Sequence, residues 1–140
     1  MVNDNVPPSR GRRPLAVWLL CLGNALIAII LIATAFLAER RGYSAGLAAL
    51  YGFTGLAMSI AAHATWYGNR WGRRILLTLI TVYFGNVIGY WAWAIVQDAA
   101  DGLFHDRLVT AALLRIGLSL VWIGLNYIFL FSNRARVFFA

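Results

Sequence analysis

Four stretches of this chain are each long enough, wound as a helix, to cross the hydrocarbon of a bilayer, and little chain is left between them. A spanning helix takes about 20 mainly apolar residues, and Pro14 to Ala38, Gly46 to Trp66, Ile75 to Gln97 and Leu108 to Phe131 all qualify. With 61% hydrophobic and 12% charged residues, the chain is too apolar for a soluble domain. Pro14 suits a first helical turn, where its missing N–H is no loss. The connections are so short that sequence neighbours must run antiparallel. The sequence therefore predicts an all-α membrane protein, an up-down bundle of four transmembrane helices. It divides into a tail over residues 1–13, a helical hairpin over 14–70 and a second hairpin with a short tail over 71–140.

The two hairpins carry the same marks in the same order. Gly11-Arg12-Arg13, Gly23-Asn24 and Tyr67-Gly68-Asn69-Arg70 are matched by Gly72-Arg73-Arg74, Gly85-Asn86 and Phe131-Ser132-Asn133-Arg134. This pattern suggests a tandem repeat, and repeats of this kind often place a functional site where the copies meet.

Charge orients the bundle. Arg10, Arg12, Arg13, Arg70, Arg73, Arg74, Arg134 and Arg136 flank the ends nearest the two tails, opposed only by Asp4, whereas Arg40, Arg41, Arg107 and Arg115 are balanced by Glu39, Asp98, Asp101 and Asp106 at the other ends. The positive-inside rule then puts both termini and the middle loop in the cytoplasm of a bacterial inner membrane. The first run follows Arg12 and Arg13, and Ala33-Thr34-Ala35 resembles a cleavage site. Its apolar stretch exceeds the roughly 7–15 residues of a signal peptide, so it reads as a retained span.

Several chemistries are excluded or disfavoured. All 12 basic residues are arginine, so no lysine is present for a Schiff base or a P-loop. Cys21 is the single cysteine and lies inside the first apolar run, which reads it as a small hydrophobe. The basic residues form short clusters at helix ends rather than a basic domain, which argues against nucleic acid. They serve topology, or else Arg70, Arg73, Arg74, Arg134 and Arg136 grip lipid phosphate. Asp98, Asp101, His105 and Asp106 share one outer loop, but with Gly102-Leu103-Phe104 between them they read as a solvated interfacial turn, and no metal is expected. A bis-histidine haem would need a second histidine within the membrane, and His105 lies in the opposite loop from His63. No cofactor is expected.

The polar residues inside the runs are the candidate site. At 1.5 Å per residue, Asn24 and Asn86 both lie about 15 Å from the tail-side ends, so they are expected in one layer, bonded to each other or facing a cavity. His63 and Asn126 form a second candidate layer, about 6 to 9 Å deep by the same count. Arg115 lies about two turns into the fourth run, with Glu39 as its expected ion-pair partner, or Asp98, or an external anion. Ala48, Gly52, Gly55, Ser59 and Ala62 draw a small-residue stripe down the second run, and Gly85-x-x-x-Gly89 does so on the third. Both are helix-packing candidates, within the bundle or toward a second copy of the chain.

No nucleophile or carboxylate stands beside a histidine at motif-like spacing, which points away from an enzyme. The expected function is a non-enzymatic membrane subunit, accessory, assembly or partner-binding, whose partners are the bilayer and a membrane protein or its own copies. The alternative is a small transporter or flippase. Asn69-Arg70-Trp71 after the second run and Asn133-Arg134-x-Arg136-Val137-Phe138 after the fourth resemble the GtrA-like family of four-helix membrane proteins. That resemblance implies movement of a lipid-linked substrate. The acidic residue expected in that family's first span has no counterpart in Gly23-Asn24-Ala25-Leu26-Ile27-Ala28.

Overall fold

A computed structural model describes residues 15–42, 44–100, 106–132, 135 and 139, apart from the side chain of Glu39. The described chain is all-helical: α1 (Leu15–Arg40), α2 (Ala45–Trp66), α3 (Arg70–Ala100) and α4 (Asp106–Leu130). Each helix is long and apolar enough to cross a membrane. The helix α3 starts five residues before the expected span, and at 31 residues it is about 46 Å long, beyond the roughly 30 Å of hydrocarbon.

The early start of α3 has a local cause. Tyr67 caps α2, Gly68 takes a left-handed φ of 79°, and Asn69 N–H reaches back to Ala64 C=O at 3.0 Å, a glycine-closed helix end. Asn69 then caps the next helix, its Oδ1 accepting from the N–H groups of Trp71 (2.8 Å) and Gly72 (3.2 Å). One tight turn thus ends α2 and begins α3. It also demands Gly72, where an added Cβ would lie 2.5 Å from the Ala64 side chain and 2.9 Å from its backbone.

Packing is concentrated at one end. The first turns of α1 and α3 meet the last turns of α2 and α4 in a cluster that includes Val17, Leu20, Leu77 and Leu130, with Trp66 against it. Ala135 and Phe139, beyond α4, complete that cluster. A second cluster follows it along the bundle, with Met58, Leu76 and Ile80 wholly buried. Along α1 and α2 the backbones approach closely, since a Cβ on Gly55 would come within 2.8 Å of Ala28 O. The buried residues of α3 are Gly72, Leu76, Leu77 and Ile80, so its last 20 residues bury none. The bundle has a packed core end and an open end.

Candidate functional site

At the core end, one polar group joins α1 to α4. Asn24 Nδ2 donates to Asn126 Oδ1 at 2.7 Å, Trp122 Nε1 donates to Asn24 Oδ1 at 3.0 Å, and Asn126 Nδ2 donates to Trp122 O at 2.9 Å. Both asparagines are wholly buried. Asn24 uses its amide in both directions, which removes the cost of an unpaired amide in an apolar interior. Gly23 is part of the same contact: a Cβ there would fall 2.5 Å from Trp122 Cη2, so glycine is what lets the indole come this close to α1.

This arrangement corrects the expected pairing of Asn24 with Asn86, since Asn24 bonds Asn126 instead. His63 lies at a similar level, in a groove beside Cys21 and Ala25, and turns to that groove rather than to the amide pair. Counting depth from helix ends assumes flush ends. Asn24 lies nine residues from the start of α1 and Asn126 four from the end of α4, a difference of about 7 Å. The two meet because α1 reaches about a turn beyond α4, and Ala135 and Phe139 fill the space past Leu130. Trp122 was not visible as a partner in sequence, although it sits one turn before Asn126.

Asn86 lies elsewhere. Its Nδ2 donates to Val82 O at 2.9 Å within its own helix, and the side chain is exposed in a cleft of about 550 Å³ between α2 and α3. Tyr51, Thr54, Tyr83, Tyr90 and Trp91 line the same cleft, beside apolar Leu50, Leu79, Val82 and Val87. Among the described residues, the hydroxyls of Tyr51, Thr54, Tyr83 and Tyr90 and the Asn86 Oδ1 have no hydrogen-bond partner. Sequence reading overlooked Tyr51, Thr54 and Tyr83. Their signal was available: three and seven residues separate Tyr83 from Asn86 and Tyr90, one face of a helix.

Arg115 stands over the ring of Trp91, its guanidinium carbon 4.1 Å from the centroid. Tyr90 holds the other aromatic contact of Trp91, edge-on at 5.4 Å. The expected partner of Arg115, Glu39, has a side chain outside the described residues; Asp98 is half-buried near the end of α3. Asp101, His105, Arg134 and Arg136 also lie outside the described residues.

The remaining candidates divide by use. His63 is exposed, contacts Tyr67 edge-on at 4.9 Å, and shares a groove of about 330 Å³ with Ser59, one turn before it, and with Cys21, which is distant in sequence. Gly52 and Gly55 face α1, whereas a Cβ on Gly85 or Gly89 would meet nothing within 4 Å. Arg70 Nε donates to Phe139 O at 2.6 Å and Arg73 Nη1 to Leu130 O at 3.2 Å, with Arg73 lying over the rings of Phe131 and Phe139. Arg74 lies over Trp71. Two of the candidate phosphate-binding arginines therefore hold the chain's own C-terminal segment.

No family model, no curated protein and no solved structure matches this chain. The fold gives the class: among the described residues, an all-helical bundle of four helices, each long and apolar enough to cross a membrane, which suggests a multi-pass membrane protein.

Proposed function

We propose that this chain is a multi-pass protein of a bacterial inner membrane, an up-down bundle of two helical hairpins with both termini cytoplasmic, and that it binds an amphipathic molecule without catalysis. Of the two readings the sequence leaves open, carriage of an amphipathic substrate is favoured over a purely accessory subunit. The observation that carries it is the cleft between α2 and α3. Among the described residues, four hydroxyls, those of Tyr51, Thr54, Tyr83 and Tyr90, and the Asn86 Oδ1 converge there without hydrogen-bond partners, beside apolar walls, on segments expected inside the membrane. Unpaired polar groups are costly in hydrocarbon, so the cleft calls for a molecule with hydrogen-bonding groups at one end and apolar surface at the other. Asn24, in contrast, is satisfied by Asn126 and Trp122 and is structural. The closed core end and open cleft fit entry of the ligand sideways from the outer leaflet.

Photo-crosslinking tests this. A photoreactive residue replacing Val87 in the cleft is compared, in native membranes, with one replacing Leu113 on the exposed surface of α4. The expected result is one amphiphile enriched at position 87, seen as a single added mass on the intact protein. A protein-sized adduct at position 87 would return the accessory reading. Equal, unselective lipid adducts at both positions would overturn the cleft as a site.

A further inference from the structure

We propose that Arg115 binds the oxyanion head of the amphiphile held in the cleft, a phosphate-type group; this rests on the reading of the cleft as an amphiphile site. The register of α4 comes first. Ala112, Arg115, Ser119, Trp122 and Asn126 recur at spacings of three and four, one stripe along the helix. Ala112, Ser119 and Asn126 on it are buried, and Trp122 and Asn126 reach α1. The stripe faces the bundle, and Arg115 on it is nevertheless exposed. Its guanidinium turns to α3, over the ring of Trp91.

Depth makes the charge informative. Arg115 is nine residues past Asp106, about 13 Å along the axis. An arginine at such a position snorkels to the interface or faces a protein interior or a watery cavity, where it takes an acceptor partner. Among the described residues no carboxylate bonds it. The guanidinium is held by Trp91, and Trp91 is itself a wall of the cleft. An indole on one side leaves the N–H edge of the guanidinium available, and that edge matches two oxygens of a phosphate or carboxylate. Tyr90, next to Trp91 in the same wall, supplies a neutral donor to a remaining oxygen, and the hydroxyls of Tyr51, Thr54 and Tyr83 lie further along the cleft. The cleft's apolar wall takes the chain.

The test uses the purified full chain in a neutral maltoside micelle, with calorimetric titration of dodecyl phosphate and of inorganic phosphate. Dodecyl phosphate should bind saturably. R115Q should weaken that binding at least tenfold and R115K should recover part of it, because lysine restores the charge but not the fork. R107Q, an exposed arginine at the same end, should bind as the parent does. Thermal unfolding of each variant establishes that it is folded. Equal affinity of the parent and R115Q would overturn the proposal. Thr54→Trp, which fills the cleft, separates the two readings. If it abolishes binding while R115Q does not, the cleft stands and the role of Arg115 falls. If R115Q abolishes binding while Thr54→Trp does not, or inorganic phosphate binds as tightly as dodecyl phosphate, an oxyanion site exists but the amphiphile reading of the cleft falls.

Discussion

Asn24 and Asn126, 102 positions apart, share a hydrogen bond of 2.7 Å between wholly buried side chains. This bond and the one from Trp122 make the contact between α1 and α4 directional, where apolar side chains alone would allow sliding. Helices in a membrane gain little from apolar contact with one another, because lipid offers the same surroundings. The amide pair therefore fixes how the first and last helices sit.

The pair should behave as a unit. Asn24→Leu strands Asn126 Oδ1 and Trp122 Nε1, and Asn126→Leu strands Asn24 Nδ2. Each should cost about 1–2 kcal/mol. The double substitution should cost clearly less than the sum, measured by reversible unfolding in detergent. The cycle between Asn24 and Asn86 should instead be additive within about 0.5 kcal/mol. Coupling of Asn24 to Asn86 rather than Asn126 would refute the arrangement.

Gly23 and Gly85, each followed by an asparagine in sequence, have opposite surroundings. Trp122 cannot swing away from a Cβ at position 23 without giving up its bond to Asn24. Gly23→Ala should destabilise by about 1–3 kcal/mol, the usual range for overpacking. Gly85→Ala meets open space and should be neutral or slightly stabilising, through helix propensity. Midpoints of thermal unfolding for the two variants compare them directly.

Phe139 closes the core end. Its ring covers Arg73, its carbonyl accepts from Arg70, and it is buried with Val17, Leu20 and Cys21. Phe139→Ala should cost roughly 2 kcal/mol, below the 3–5 kcal/mol common for deep core sites, since the residue sits at an end of the bundle. Phe131→Ala, removing an exposed ring over the same arginine, should cost less. A larger loss for Phe131→Ala in the same unfolding assay would show that the tail is not the closing element.

Orientation is tested by labelling. In a Cys21→Ala background, a cysteine at Asn69 should be shielded from an impermeant thiol reagent in intact cells, while one at Ala100 should react. The excess of arginine beside the ends near Asn69 motivates this expectation. Reaction at Asn69 without lysis would reverse the topology.

The four helices were legible because a spanning helix announces itself by length and apolarity alone, and the short links between runs left little else to form. Their ends were less so: α3 begins at Arg70 because Asn69 caps it, a local hydrogen bond that hydropathy does not register. Small residues in α2 signalled a close contact, and Gly55 makes it against α1. The same signal at Gly85 and Gly89 corresponds to open space among the described residues, where an added Cβ would meet nothing within 4 Å.

By itself the sequence determined that the chain is built from four membrane-length helices and that its few polar residues within them are the places to look. Which of them pair was decided only by the tertiary structure. Depth counted along separate helices carries no information on their axial offset, and an offset of about one turn moved Asn24 from Asn86 to Asn126. Rotation about each axis did the rest, turning Asn24 into the core and Asn86 into a cleft with three tyrosines.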